Sequence, residues 1–380
     1  MIDTIKLTLD KNMFWITDSS LFQKETMNSI RGYFKLVQNP AKKELLRGIY
    51  KPRLTLTKRF NCSGRFEPTL SIELSLPKLI YGNNFDELED KNFPEAVKRL
   101  MQVLTTMGIK VFTKTLEIAP ISAIHYSKNI PLTDGSTPHY LISKIKEANI
   151  SLALDVDQTD YRNDGRGYKW HTNTYEVAFY DKIHDLGKAR TSDKRAIESD
   201  NAIQLNLFDV FQKRERLEVL RMEVRLNQRQ KMGKLFRNLG INTELTFQNL
   251  FSSAISQRIL LHYLDEMESK RPRLLDLKAG NPKTFLADFV VNNPGLGPSK
   301  TLQVFGLKQA LDTTTPRELR AMFGKYSQRS WYRLMAETKK FNLPATRSPF
   351  GVIREHLTRF EPLKLVDFQD KMINNDKYEN

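Results

Sequence analysis

The stretch YEVAFYDK, residues 175–182, alternates between apolar and polar side chains with the period of a β-strand. Successive side chains of an extended chain point to opposite faces of a sheet. The odd-numbered residues up to Phe179 would therefore share an apolar face, and Tyr180 and Lys182 would share the opposite face. The stretch predicts an amphipathic strand that packs one face on a core and carries a Tyr–Lys pair on the other.

A second stretch, RMEVRLN at residues 221–227, has the same alternation and places its apolar side chains on one face. The polar face carries Glu223 between Arg221 and Arg225. A Glu flanked by two Arg residues could form an ordinary cross-strand ladder of salt bridges. It could instead hold a divalent metal ion while the guanidinium groups bind phosphates. The sequence leaves both interpretations open.

The rest of the chain mixes predicted strands with predicted helices. Helical periodicity predicts helices over residues 93–107 and 138–148. This mixture is typical of an α+β fold class with a mainly antiparallel sheet. Period-two alternation predicts further strands that include residues 5–9, 54–56, 70–76, 115–127, 151–157 and 217–226.

A change of composition near residue 275 predicts the domain organisation. Residues 1–274 form the predicted α+β domain, with an exposed, charged insertion at about 185–213. Short helices broken by Pro and Gly predict a smaller helical C-terminal domain over 275–368, and residues 369–380 are expected to form a frayed tail. A typical domain of roughly 150 residues agrees with more than one unit in a chain of 380 residues.

The charge of the chain favours a polyanionic partner. The sequence has 60 Lys and Arg residues against 44 Asp and Glu residues, a net charge of +16. Nucleic acid is the commonest partner of so basic a protein. Nine basic residues and three acidic residues fall between Lys213 and Arg237. The candidate DNA-binding residues in this region are Arg221, Arg225, Arg229 and Lys231.

Several function classes are disfavoured by features that the sequence lacks. No glycine-rich phosphate loop of the Walker type is present, which argues against an ATP-driven motor. No run approaches the roughly 18 consecutive apolar residues of a membrane span, and the N-terminus lacks the apolar region of a secretory signal. Cys62 is the only cysteine, so no intrachain disulfide is expected and a cytoplasmic location is predicted.

Four stretches of the chain resemble the replication initiators of phages and plasmids of the filamentous-phage gene II type. The resemblance covers most of the chain up to about residue 270 and continues more loosely to about 365. It implies a Rep-nuclease-like initiator domain followed by a smaller C-terminal domain. Tyr180, followed by Lys182, matches the family's tyrosine nucleophile, and Glu223 matches the acid of a later strand. The four stretches are residues 74–85, 124–130, 175–182 and 220–230.

The resemblance also implies a metal-dependent mechanism for starting rolling-circle replication. Tyr180, assisted by Lys182, would nick one strand of a DNA origin, leaving a 5′-phosphotyrosine link and a free 3′-OH. A Mg²⁺ or Mn²⁺ ion would be held by Glu223, His125 and Glu73, although the family has an acid where His125 stands. The expected partners are origin DNA, single-stranded or supercoiled, and a host helicase. The alternatives are a non-enzymatic DNA-binding repressor and a relaxase for plasmid mobilisation.

Residues 204–208, QLNLF, resemble the short Gln-Leu-x-Leu-Phe peptide by which bacterial replication proteins bind the sliding clamp. Leu207 and Phe208 would fill an apolar pocket while the side chain of Gln204 forms a hydrogen bond at its rim. The charged stretch just upstream could provide the accessible setting that such a peptide needs. The alternative is an ordinary helix whose buried stripe includes Ile203 and Leu207.

Overall fold

A computed structural model gives the structure of the chain. Its described part is an α+β fold with a large antiparallel sheet and about 13 helices. The described residues are 1–28, 33–40, 44, 49–60, 66–133, 135–148, 159–162, 166–171, 174–189, 218–270, 274, 281–323, 327–338, 340–343 and 349–364.

Ten of the twelve strands in the described part of the chain form one sheet. The strands are β1 (Ile2–Asp10), β2 (Trp15–Ile16), β3 (Gln23–Asn28), β4 (Tyr33–Gln38), β5 (Arg53–Phe60), β6 (Phe66–Ser75), β7 (Ile109–Lys110), β8 (Ile121–Pro131), β9 (Thr159–Arg162), β10 (Gly167–His171), β11 (Tyr175–Asp181) and β12 (Val219–Leu226). Their order across the sheet is β3-β4-β5-β6-β1-β8-β12-β11-β10-β9, and every neighbouring pair is antiparallel. Strands β2 and β7 form a separate two-stranded sheet.

The helices of the described residues lie between the strands and beyond the last one. Among these residues, each helix is too short or too polar to cross a membrane. The helices are α1 (Leu76–Tyr81), α2 (Phe93–Thr106), α3 (Thr113–Glu117), α4 (Pro138–Ala148), α5 (Lys182–Ala189), α6 (Arg229–Asn238), α7 (Phe247–Leu250), α8 (Ser253–Lys270), α9 (Pro282–Asn292), α10 (Pro298–Thr313), α11 (Pro316–Met322), α12 (Gln328–Thr338) and α13 (Pro349–Arg359).

The large sheet has one apolar face and one polar face. On β1, Ile5, Leu7 and Leu9 are fully buried, whereas Lys6 and Thr8 on the opposite face are partly exposed. Helices α4, α8 and α13 pack against the apolar face. Burial of each Leu or Ile side chain there contributes about 1.5–3 kcal/mol to folding. The alternate apolar residues therefore form a core on one face of the sheet, and the polar side chains between them lie on the other face.

A second hydrophobic cluster lies in the C-terminal part of the chain. Helices α9 to α12 contribute to it, with Phe289 and Trp331 among its buried members. Helix α13 instead packs on α8, and its Phe350 and Leu357 belong to the core of the large sheet. The helical unit that begins near residue 275 therefore ends before α13, which returns to the first core.

The structure corrects one predicted strand and leaves others outside its described part. The sequence predicts a strand over residues 115–127, but Thr113–Glu117 forms α3 and β8 begins only at Ile121. Leu116 is fully buried, so the apolar character at this point reflects helix packing. The two predicted helices are confirmed as α2 and α4. Outside the described residues lie the predicted strand at 151–157, the insertion from 190 onward and the tail at 369–380.

A buried ion pair connects β8 to the loop between α1 and α2, and hydrogen bonds extend the contact to the segment that follows α13. The carboxylate of Glu87 contacts the ammonium of Lys128, and the two residues are 5% and 2% exposed. Glu87 also accepts hydrogen bonds from the backbone N–H of Asn129 at 2.6 Å and of Leu363 at 2.9 Å. Burial alone would raise the pKa of Glu87, but Lys128, the N-terminal ammonium and the hydrogen bond from Asn129 hold that pKa below its usual value.

Replacing only the cation of this pair should destabilise the fold. We expect Lys128→Met to lower the free energy of unfolding by about 3–5 kcal/mol, because it leaves the Glu87 carboxylate buried without its counter-charge. Urea denaturation at neutral pH measures the change. The double variant Glu87→Gln, Lys128→Met should recover most of the loss, and a double variant no more stable than Lys128→Met would contradict the assignment. Folding lowers the pKa of Glu87. The carboxylate therefore stabilises the fold above the pKa that it has in the unfolded chain, and this stabilisation is lost as the pH falls through its pKa in the folded chain.

Candidate active site

The polar face carries a row of reactive side chains where β1, β8, β12 and β11 lie side by side. The register places Arg225 opposite His125, and Tyr180 opposite Arg221. Glu223 lies between these pairs on the same face of β12. The faces predicted for residues 175–181 and 221–226 are confirmed, because the alternate apolar residues of β11 and β12 are buried in the core. Lys182, predicted as the last residue of the first strand, instead begins helix α5, because the chain turns from strand to helix after Asp181.

Glu223 is the centre of this row. It is 1% exposed, and both of its carboxylate oxygens have partners. Oε1 accepts a hydrogen bond from Nε of Arg225 at 2.8 Å and lies 3.5 Å from Nδ1 of His125. Oε2 accepts a hydrogen bond from the hydroxyl of Tyr180 at 3.0 Å. One buried carboxylate therefore joins side chains from β12, β8 and β11.

The surroundings of Glu223 keep its carboxylate ionised. Burial by itself would raise the pKa of Glu223, because desolvation disfavours the charged form. The charge of Arg225, the hydrogen bond from His125 and the charge of Arg221 outweigh this effect and hold the pKa well below its usual range. The carboxylate is therefore charged at neutral pH, which is the form that binds cations.

Asp3 joins the row because β1 has a bulge at this residue. The residues on either side of Asp3 lie opposite Tyr126 and His125, which are adjacent on β8, so Asp3 is the extra residue of β1. A bulge re-aims a side chain that strict alternation would send to the other face. Alternation would group Asp3 with the buried Ile5, but its carboxylate instead lies 2.7 Å from a guanidinium nitrogen of Arg221.

Asp3, His125 and Glu223 bring three potential metal ligands together. Their ligand atoms all lie within 4.8 Å of one another, the one group of this kind found among the described residues. Two carboxylates and an imidazole can hold a divalent metal ion, and the carboxylates are donors of the kind that Mg²⁺ and Mn²⁺ prefer. The donor set therefore fits a divalent ion of this class, with Asp3 in a position that the alternation of β1 does not predict.

Arg221 is a buried side chain that orients the carboxylate of Asp3. It is 3% exposed and donates hydrogen bonds to Asp3 at 2.7 Å, to the hydroxyl of Ser127 at 2.8 Å and to the backbone carbonyl of Asn84 at 2.8 Å. These bonds fix the guanidinium in one orientation. Arg221 is therefore a buried positioning residue and does not lie on the exposed DNA-binding surface that the sequence predicts.

Arg225 forms the salt-bridge ladder that the sequence allows, on one side of Glu223. Its Nη1 lies 2.8 Å from Glu176, and Lys169 lies 2.9 Å from the other oxygen of that carboxylate. The side chain of Arg225 is 33% exposed. The ladder and the group of potential metal ligands therefore meet at Glu223, whose Oε1 contacts both Arg225 and His125.

Tyr180 presents its hydroxyl to Glu223 from β11, with its side chain partly exposed. Desolvation raises the pKa of the Tyr180 phenol well above its ordinary value; the charge of Arg221 opposes this effect and that of Glu223 adds to it. The residue is therefore a neutral phenol in this state. Any reaction at its oxygen requires a group that accepts the phenolic proton.

Lys182 is a buried amine next to Tyr180. It begins helix α5 and is fully buried, and its Nζ has no hydrogen-bond partner among the described residues. Nζ lies 6.0 Å from the centroid of the Tyr180 ring. Burial lowers the pKa of Lys182 to about 7, and the charge of Arg221 acts in the same direction. An amine with this pKa can accept a proton near neutral pH.

The remaining predicted site residues lie away from this cluster. Glu73 is not one of the three grouped ligands: it lies on β6, and its carboxylate is 3.9 Å from the ammonium of Lys6. Asp3 occupies the position that the sequence assigns to Glu73. Arg229 and Lys231 are exposed in the first turn of α6. The predicted clamp-binding residues fall outside the described part of the chain, and they are Gln204, Leu207 and Phe208.

Comparison with known proteins gives no match to a family model, to a curated protein or to a solved structure. The resemblance to replication initiators therefore rests on the four sequence stretches alone. The geometry of the site combines a tyrosine hydroxyl, three grouped potential metal ligands and a buried amine.

We expect the group formed by Asp3, His125 and Glu223 to bind Mn²⁺. Saturating Mn²⁺ should raise the thermal unfolding temperature of the wild type, since a ligand specific for the folded chain stabilises it by about 2.7 kcal/mol at 100 times its Kd. The increase should disappear in Asp3→Asn and in Glu223→Gln. Glu73→Gln is the matched control and should keep the full increase. A normal increase in Asp3→Asn, or its loss in Glu73→Gln, would rule out this ligand set.

Lys182→Met should stabilise the protein at neutral pH. The pKa of Lys182 falls from 10.5 to about 7 on folding, so folding releases a proton wherever the unfolded amine is charged. Burying this amine therefore costs free energy at pH 7, and the cost shrinks as the pH rises toward 10.5. Urea denaturation between pH 6 and pH 9 should give a higher free energy of unfolding for the Met variant than for the wild type. The difference between the two free energies should become smaller as the pH rises. A Met variant less stable than the wild type at pH 7 would contradict this view of Lys182.

Proposed function

We propose that this protein is a metal-dependent, site-specific DNA nicking and joining endonuclease of the Rep-nuclease-like class, which uses Tyr180 to start rolling-circle replication. The observation that carries the proposal is the hydrogen bond from the Tyr180 hydroxyl to Glu223, beside Asp3 and His125. Phosphoryl transfer to a tyrosine requires a nucleophile, a proton acceptor and positive charge near the phosphate. The polar face groups residues suited to each of these tasks, including the buried amine of Lys182.

The proposed reaction moves a phosphoryl group from one strand of DNA to the enzyme. The Tyr180 oxygen attacks phosphorus, the bond from phosphorus to the 3′ oxygen breaks, and the 5′ phosphate stays attached to the tyrosine. The amine of Lys182 accepts the phenolic proton, and the departing 3′ oxygen takes a proton from water to become a free 3′-OH. One phosphodiester replaces another, so rejoining the strand requires no ATP. The lack of a Walker loop in the sequence agrees with this chemistry.

The side chains around Tyr180 have separate roles in this scheme. Arg225 is partly exposed beside Glu223, where its guanidinium can bind the scissile phosphate. Arg221 keeps the carboxylate of Asp3 on the polar face. A Mg²⁺ or Mn²⁺ ion held by Asp3, His125 and Glu223 would supply Lewis-acid stabilisation of the negative charge that develops on the phosphate.

The charge distribution supports DNA as the substrate. The net charge of +16 favours association with a polyanion, and Arg229 and Lys231 extend the basic surface beyond the end of β12. A nick at an origin would give a polymerase a 3′-OH to extend and a helicase a strand to displace. The proposed place of action is therefore the cytoplasm of a bacterial host, with origin DNA as the primary partner.

The nucleophile can be tested with one atom removed. Tyr180→Phe should keep the fold and DNA binding but abolish both nicking of supercoiled origin plasmid and the covalent protein–DNA adduct. The phenyl ring remains, and only the attacking oxygen is lost. Agarose electrophoresis with Mn²⁺ measures nicking, and denaturing electrophoresis of a labelled oligonucleotide measures the adduct.

Tyr175→Phe is the matched control on the same strand. The Tyr175 ring lies on the apolar face, with its centroid 5.0 Å from that of Tyr263. This variant should nick at the wild-type rate. Wild-type adduct formation by Tyr180→Phe would assign the nucleophile to another residue, and the absence of any adduct in the wild type would favour a DNA-binding repressor.

A further inference from the structure

A second polar feature lies on the same face of the sheet as Glu223. It is a groove of about 620 Å³ that crosses β1, β6, β5 and β4, and we name it the polar groove. Its wall nearest the active site comes from β8 and from the residue after β12. The lining residues on which the inference depends are Lys6, Lys35, Arg53, Thr55, Ser71 and Glu73.

The strand register makes the polar groove a continuous row. Glu73 of β6 lies opposite Lys6 of β1 on one side and Arg53 of β5 on the other, and Ser71 lies opposite Thr55. Residues that are directly opposite in a sheet share a face. Because neighbouring strands are about 4.8 Å apart, the path from β8 to β4 spans roughly 19 Å. This length suits an extended chain of a few nucleotides.

The polar groove begins where the group of potential metal ligands ends. Thr4 lies opposite His125, and Lys6 is the next residue of β1 on that face. Ser122 and Asn227 form the wall of the groove at this end. A strand that leaves the active site along β1 would therefore enter the groove directly.

The chemistry of the polar groove suits a phosphodiester backbone. Lys6, Lys35 and Arg53 supply three positive charges against the single carboxylate of Glu73. The Ser71 hydroxyl is buried and has no hydrogen-bond partner among the described residues. A phosphate oxygen that reaches this hydroxyl would supply the missing partner. The lining residues are mostly polar or charged side chains, which suit contacts with a sugar–phosphate backbone.

We propose that the polar groove binds the sugar–phosphate backbone of single-stranded DNA on one side of the phosphate that Tyr180 attacks. This inference rests on the proposed function, because it takes the substrate of the Tyr180 site as given. Lys6, Glu73 and Arg53 lie in one row of directly opposite residues, which offers contacts to a single backbone.

Charge reversal in the groove tests the inference by a binding measurement. We expect Lys35→Glu, Arg53→Glu to weaken the binding of a labelled single-stranded oligonucleotide at least tenfold. Each phosphate contact on a single strand contributes about 0.7 to the slope of log K against log salt, so the slope should fall by roughly 1.4. Fluorescence anisotropy in EDTA, with Tyr180→Phe as the parent protein, separates binding from cleavage.

The matched control makes the same change of charge outside the polar groove. Lys98 and Lys114 are exposed on α2 and α3, and Lys98→Glu, Lys114→Glu should bind within about twofold of the parent. Equal affinity of the groove variant and this control would overturn the inference. Tighter binding of duplex than of single strand by the parent would overturn it as well.

Chemical footprinting of the wild type avoids any dependence on the folding of variants. Acetylation of Lys6 and Lys35, followed by mass spectrometry, should decrease when the oligonucleotide is bound, while acetylation of Lys98 should not change. Unchanged acetylation of Lys6 and Lys35 at saturating oligonucleotide would refute the groove as the binding site. Failure of the proposed function would give a different result. The oligonucleotide would still protect Lys6 and Lys35 from acetylation, but the wild type would form no covalent adduct with DNA.

Discussion

The buried carboxylate of Glu223 is the constraint around which the polar face is arranged. An ionised carboxylate that is 1% exposed is stable only when it is charge-paired and hydrogen-bonded. Its partners Arg225, His125 and Tyr180 come from β12, β8 and β11, so the register of three adjacent strands determines the site. A slip of β11 by one residue would turn Tyr180 into the core. The sheet and the site therefore depend on the same backbone hydrogen bonds.

The two faces of the sheet differ in their contribution to folding stability. Helices α4, α8 and α13 pack on the apolar face and add buried side chains to the core that the strands form, while the polar face holds charged groups whose burial is unfavourable. Lys182, at the end of β11, is the clearest example, because its amine is fully buried with no partner among the described residues. Active sites commonly sacrifice stability in this way. The apolar core on the reverse side of the same strands offsets that loss.

The sequence was sufficient for β11 and β12 because alternation is a local property of an extended chain. It could not predict the participation of Asp3, since the bulge depends on how β1 pairs with β8, a strand distant in sequence. Glu73 lies on the same polar face as His125, as alternation predicts. Only the order of the strands shows that β1 lies between the two residues. The sequence carries one signal of this role, because Asp3 is a carboxylate at a position that alternation assigns to an apolar face. The buried state of Arg221 likewise follows from contacts with distant segments.

The central claim is that Glu223 can exchange its charge-paired state for that of a metal ligand beside the Tyr180 hydroxyl. Anomalous X-ray diffraction at the manganese absorption edge, from crystals of the protein saturated with Mn²⁺, tests this claim most directly. The expected result is a single strong peak bounded by the side chains of Asp3, His125 and Glu223. A map with no peak at these three residues, or with its peak at Glu73 instead, would contradict the claim.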